Sequence, residues 1–259
     1  SMMLKIELRQ HVGAPCKPIV EVGSEVKKGQ LLAEPQGLGA NIHSSVYGKV
    51  VDITDSAILV EADENQPKEF VKIKETENNL EAIKEAGIVG AGGAGFPTHI
   101  KLNVDLTGGC IIANAAECEP VLGHNVELME NNPEIIVKGL KYMLDITKAD
   151  KAYIAVKPKY KKAIVALGKA CKDEPNIELK YLPDMYPAGD ERVIIRELLG
   201  ITLVPGQLPI EAKTVVSNVE TIKRIVEAIE ERKPFITKDI TVGGRVVGAE
   251  NHGKVFMDV

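Results

Sequence analysis

Glycines crowd the stretch GIVGAGGAGFPTHIK, residues 87–101, and Gly90, Gly92 and Gly95 keep the G-x-G-x-x-G spacing of a dinucleotide-binding turn. Adjacent glycines let backbone N–H groups approach a flat or anionic ligand without a Cβ in the way, and Lys101 adds a point charge suited to a phosphate. Three other segments carry groups of matching chemistry. ANAAECEP supplies Asn114, which donates and accepts at a heterocycle edge, and Glu117 and Glu119, which accept from sugar or ribityl hydroxyls. YPAGDER puts Asp190 and Glu191 at a helix start, and SNVETI puts Asn218 and Thr221 at another, where free N–H groups attract an anion. Each segment alone also has a plain use, as a mobile loop, a surface carboxylate pair or a helix cap.

The elements around these groups decide between the readings. From 110 onward the chain alternates apolar runs with amphipathic ones. GGCIIANAAE and KAYIAVKP read as buried strands, and IELKYLPD as a third strand. NPEIIVKGLKYMLDITKA reads as a helix with Asn132 as N-cap and Pro133 at its first position. KYKKAIVALGKACKDE and GDERVIIRELLG, closed by Gly200, read as further helices, and TVVSNVETIKRIVEAIEE as a strand entering a fourth. This rhythm predicts a parallel sheet wrapped by helices, with Asn114 and Glu117 beyond a strand's carboxyl end, where such folds bind ligands. Before Gly90, NNLEAIKEAGIV reads as a helix with Glu75-Thr76-Glu77 supplying acid and a cap near its start, and Pro97 bars a regular helix through the loop. A dinucleotide turn needs a strand immediately before it, so an ordinary NAD-dependent dehydrogenase is the weaker reading despite the carboxylate of Glu117 further on.

Residues 3 to about 70 are short β patterns and turns. VGSEVKKGQLLAE predicts turns at Gly23 and Gly29 with Val26 and Leu31 facing the core, and SSVYGKVVDITDSAILVEA predicts three strands broken at Gly48 and Thr54-Asp55. Two such halves joined by PQGLGANIHS resemble a barrel-sandwich of the biotinyl and lipoyl type, but GLGANIHSS offers no carrier lysine, and His43 reads as a surface or loop-packing side chain.

Composition narrows the function. Net charge is −5 with no long basic run, and aromatics are 4% with no Trp, which argues against nucleic-acid binding. The longest apolar runs are too short to span a bilayer, and the start carries no secretory signal, which makes the cytoplasm the expected compartment. The four cysteines, Cys16, Cys110, Cys118 and Cys171, form no C-x-x-C pair, so neither a zinc ribbon nor an iron–sulfur motif is present. Cys16 in GAPCKP is a possible redox thiol, although a buried gap-filling cysteine is the favoured reading, since no partner thiol or activating base is identifiable.

In order along the chain, GIVGAGGAGFPTHIKL, NAAECEP, YPAGDER and NVETI resemble the flavin-binding module of the Complex I 51 kDa subunit family. With QHVGAPCKPIVEVGSEVKKGQLLAE and IHSSVYGKVVDI before them, they resemble more closely the RnfC component of the Rnf electron-transport complex and its relative PrdC, associated with proline reductase. That resemblance implies an α/β chain in three parts: a barrel-sandwich hybrid over 1–72, a Rossmann-like parallel α/β FMN-binding domain over 73–233, and the start of a β-grasp (SLBB) domain over 234–259. It implies that Gly90, Gly92, Gly93, Gly95 and Lys101 cradle FMN, that Asn114 and Glu117 hold its ring and ribityl edge, and that Asn218 and Thr221 take its phosphate. Tyr186, Gly189, Asp190 and Glu191 would line the NADH side. The implied activity is hydride transfer from NADH to FMN and onward electron transfer to 4Fe-4S clusters beyond Val259, in a longer protein of which this chain is a part. Redox partners would be Rnf subunits or proline reductase components, with peripheral attachment to the inner membrane through them. The chain departs from the Complex I pattern at Ala91 (an arginine there), at Asp190-Glu191-Arg192 (two glutamates there), and at Leu102-Asn103-Val104, where a phenylalanine is missing; these bear on NADH more than on FMN. A non-enzymatic docking subunit that keeps the fold without flavin is the alternative.

Overall fold

Alternating apolar side chains of the first sixty residues are driven into antiparallel ladders, and the continuous apolar runs further on into parallel ones. The structure, a computed structural model, describes residues 2–90, 95–116, 124–236 and 240–242. It divides into two units, Ser1–Thr98 with Glu227–Val259, and His99–Val226.

The first unit holds β1 (Met2–Glu7), β2 (Lys17–Pro18), β3 (Glu25–Val26), β4 (Leu31–Glu34), β5 (Ile42–His43), β6 (Gly48–Ile53), β7 (Ala57–Ala62) and helix α1 (Asn79–Ala86). β2, β4 and β5 form a three-stranded sheet, while β1, β7, β6 and β3 pair antiparallel in that order. Between them lie Ile6, Leu32, Val50, Ile58 and Val60, buried in one core. Gly23 and Gly29 make the expected turns with positive φ of 93° and 88°. Three sequence expectations need correction here. Leu31 is half-buried and Leu32 takes the core place, because a bulge between Leu31 and Ala33 shifts the ladder with β5. Gly48 begins β6 instead of breaking a strand: a Cβ on it would lie 2.3 Å from the Glu61 carbonyl oxygen of the neighbouring strand. The cap of α1 is Asn78, whose side chain accepts from the Glu81 N–H at 2.9 Å.

The second unit contains β8 (Cys110–Asn114), β9 (Lys151–Val156), β10 (Ile177–Tyr181) and β11 (Thr214–Asn218). All neighbours are parallel, in the order β10-β9-β8-β11. Every residue of β8 is buried, as befits a central strand covered on both faces. The helices are α2 (Thr98–Leu102), α3 (His124–Asn131), α4 (Pro133–Thr147), α5 (Lys161–Cys171), α6 (Glu191–Leu199) and α7 (Val219–Glu231). The expected strand–helix alternation is therefore present. The short α2 and α3 are additional: Pro97 stands just ahead of α2, and α3 carries few apolar residues, so neither has a strong periodic pattern. Asn132 precedes α4 as expected but makes no side-chain cap bond.

The chain runs from β8 outward through β9 to β10, then returns to place β11 on the other side of β8. The direction of winding thus reverses between β8 and β11, and a crevice opens beyond the carboxyl ends of strands at such a reversal. Past α7 the chain re-enters the first unit, where β12 (Ile240–Val242) pairs antiparallel with β1. Apart from residues 234–236 and β12, the segment read as the start of a β-grasp domain lies outside the described residues.

Candidate functional site

At the reversal point two of the predicted ligand-binding residues are direct neighbours: Asn114, the last residue of β8, is in register with Asn218, the last of β11. The buried Asn114 donates from Nδ2 to the Ala188 carbonyl at 2.7 Å, and its Oδ1 accepts from the Ala116 N–H at 3.1 Å. It therefore shapes both the exit of β8 and the YPAGDER segment. Asn218 is half-buried, and its Oδ1 accepts from the Glu220 N–H at 3.2 Å, turning β11 straight into α7. Thr221 is buried in the first turn of that thirteen-residue helix, whose positive end faces out from the strand end. Arg224 pairs with Glu220 one turn along, at 3.2 Å.

Lys101 reaches the same place from α2. Its Nζ donates to the Val216 carbonyl of β11 and lies 3.4 Å from Glu191 Oε1 at the head of α6. The pair is partly exposed, so it contributes little stability, but it brings α2, β11 and α6 to one point. Asp190 caps α6 by accepting from the Arg192 N–H at 2.9 Å, Gly189 is exposed, and Tyr186 packs half-buried on the cluster of Ile194, Ile195 and Leu198. The second unit thus brings together Lys101, Asn114, Glu191, Asn218 and Thr221 at the carboxyl end of its sheet, with Tyr186, Gly189 and Asp190 on the segment that Asn114 holds.

The glycine segment belongs to the first unit. Val89 bridges Pro97 antiparallel, the Gly90 N–H donates to the Phe96 carbonyl at 3.0 Å, and the Gly95 carbonyl accepts from the Val12 N–H at 3.3 Å. Gly95 has φ +53°, a left-handed conformation in which glycine is at ease. The segment is therefore a loop closed at its own base rather than a strand-to-helix turn, which argues against the ordinary dehydrogenase reading. Ala91, Gly92, Gly93 and Ala94 lie outside the described residues, as do Glu117, Cys118 and Glu119.

Cys16 is buried beside His11, whose Nε2 is 3.7 Å from Sγ; the thiol also donates to the Ala40 carbonyl at 3.4 Å. A neighbouring base is thus present although spacing did not reveal it. Burial nonetheless pushes the thiol up to about 11, so Cys16 stays protonated at neutral pH. His43 is buried rather than on the surface; desolvation lowers it to about 4, against a hydrogen bond with the Glu85 backbone. Sequence reasoning missed one residue near the site, Lys157, which follows β9 and buries its ammonium among three carbonyls; nothing in KAYIAVKP distinguishes it from a surface lysine.

A helix N-terminus, a hydroxyl, a cation and two amides gathered at a reversal point suit a ligand with a phosphate, hydroxyls and a hydrogen-bonding ring. FMN has all three, and the donor set fits it. Fold and site together define a class: a barrel-sandwich domain joined to an α/β flavin-nucleotide domain. Residues 83–227 match the Nuo51 FMN-binding domain and residues 2–76 match the RnfC barrel sandwich hybrid domain. The first match covers more than half of the chain, and the chain belongs to this Nuo51 FMN-binding family, in the RnfC-type arrangement with the barrel-sandwich ahead of it. It is 38% identical to the RnfC-type component of the proton-translocating ferredoxin:NAD(+) oxidoreductase complex of Clostridium ljungdahlii, over 93% of this chain and 57% of that protein. It is 34% identical to the corresponding component of the Na(+)-translocating complex of Acetobacterium woodii, over 95% and 60%. Cobalamin reductase PduS of Salmonella typhimurium is 42% identical over 64% of this chain and 36% of its own length. Among solved structures, an NAD+-reducing NiFe hydrogenase in its H2-reduced state matches with a TM-score of 0.51 and 27% identity, over 58% of this chain and 30% of that one. The chain thus spans less than two thirds of the length of the relatives it matches.

Proposed function

We propose that this chain is the FMN-binding part of an RnfC-like electron-transfer subunit that takes a hydride from NADH. The observation that carries the reading is the register pair Asn114–Asn218 at the reversal point, with the α7 N-terminus directly behind it. Asn218, Thr221 and the first-turn N–H groups of α7 would take the phosphate, Lys101 would add positive charge, and Asn114 would orient the ring edge. The glycine segment, with Gly90, Gly92, Gly93 and Gly95, would supply backbone donors without side-chain bulk, and Glu117 would serve the ribityl edge. FMN, when bound, supplies hydride acceptance and release of electrons one at a time. Tyr186, Gly189, Asp190 and Glu191 would face the nicotinamide, with Glu191 held by Lys101. Electrons would leave toward iron–sulfur clusters in the remainder of a longer protein. The redox partners would be other members of an ion-translocating ferredoxin:NAD oxidoreductase assembly, as the RnfC-type relatives suggest, with a proline reductase system the other setting that the sequence resemblance implies. Among the described residues no helix is long and apolar enough to cross a membrane; peripheral attachment through partner subunits is what the sequence resemblance implies.

The test is spectroscopic. The purified chain is incubated with FMN, freed of unbound ligand by gel filtration, and then given anaerobic NADH. A retained flavin band that bleaches with NADH is the expected result. A folded, colourless chain would contradict the flavin reading and favour a docking subunit.

A further inference from the structure

The segment between β10 and α6 has no regular structure, yet two strand ends hold it by side chains. Pairing of β10 with β9 ends where the Leu182 N–H donates to the Val156 carbonyl. One residue past β9, Lys157 turns its side chain under the segment. Its Nζ donates to the carbonyls of Pro183 at 3.0 Å, Asp184 at 3.0 Å and Tyr186 at 2.6 Å. An ammonium has three donors, and all three are matched. Lys157 is only 7% exposed. A charge buried this far is costly unless fully hydrogen-bonded, so the site demands these carbonyls, and the carbonyls demand the charge. Three carbonyls within four residues converge on one point, a backbone shape they would not keep without a cation between them, since their negative ends would face one another. Two residues on, Ala188 is held from the end of β8 by Asn114 at 2.7 Å, and two residues further Asp190 caps α6.

We propose that Lys157 is a positioning residue: it sets the backbone of residues 183–190 and, through that segment, the placement of Tyr186, Gly189 and Glu191 toward the nicotinamide. The first half stands on the hydrogen bonds alone; the second rests on the functional reading above. The test is Lys157→Met, which keeps the length and apolar stem and removes the donors. Amide hydrogen exchange at Asp184–Asp190 is expected to accelerate at least about tenfold, with exchange in β8 and in the first unit unchanged. In the FMN-loaded chain, KM for NADH is expected to rise about tenfold with FMN affinity held within about twofold. Lys157→Arg retains the charge and reaches at least two of the carbonyls, and is expected to recover most of both effects; it also serves if the Met variant fails to fold. Unchanged exchange at 184–190 in a folded Met variant would overturn the proposal. Accelerated exchange with unchanged KM would overturn its second half. A wild-type chain that shows no response to NADH would count against the proposed function, while the exchange result would still decide the role of Lys157.

Discussion

Both units bury polar side chains, and they do so to different ends. In the barrel-sandwich unit, His11 and Cys16 close on each other and on Ala40, and the His43 ring is shut in at the end of β5. Their partners are backbone groups within the same unit, the Ala40 carbonyl for Cys16 and the Glu85 backbone for His43. In the parallel-sheet unit, buried Asn114, Lys157 and Thr221 stand at or just past the carboxyl ends of three strands. The partners of Asn114 and Lys157 are segments that leave the sheet. Burial of a polar group is therefore no sign of function by itself; its place at the ends of parallel strands is what makes a site.

The largest expected effect probes the sheet under the site. Ile112 is fully buried in the middle of β8, and Ile112→Ala should lower the stability of the second unit by about 2–5 kcal/mol in denaturant titration. A probe in the first unit should keep its own transition; a shared shift would blur the comparison. Next comes acid. His43 has its folded pKa lowered to about 4 from 6.5, so its neutral form stabilises the first unit fully above pH 6.5. That stability is lost as pH falls from 6.5 toward 4, on the order of 3 kcal/mol in all. His43→Gln should flatten this part of the pH–stability curve, and an unaltered slope would mean the acid sensitivity lies elsewhere. Helix packing follows. A Cβ on Gly139 of α4 would lie 2.3 Å from Ile222 Cγ2, so Gly139→Ala should cost about 1–3 kcal/mol and disturb α7, the helix that heads the site. The smallest effect is at the α6 cap, where Asp190→Ala should cost about 1 kcal/mol, read as a lowered melting temperature. A much larger loss of NADH response than of stability would show that Asp190 does more than cap.

Much of this was legible in the residues. The apolar run CIIAN announced a central strand, and Pro133 and Gly200 announced helix ends. What stayed hidden depends on contacts between residues distant in sequence. The bulge that seats Leu32 in place of Leu31 follows from how β4 meets β5, and Gly48 is required by the carbonyl of a neighbouring strand. The Ala40 carbonyl beside Cys16 and the three carbonyls around Lys157 depend on chain crossings that no periodicity encodes. Similarly, the resemblance implies FMN for Lys101 and NADH for Glu191, and only the fold shows the two side chains paired.

The most direct measurement is FMN affinity, by quenching of flavin fluorescence, for the wild-type chain, Lys101→Ala, Thr221→Val and Cys16→Ala. The account predicts binding weakened about tenfold by each of the first two, which remove a charge and a hydroxyl from the strand-end site, and no change from the third, which alters only the barrel. Equal affinity in all four folded chains would contradict it.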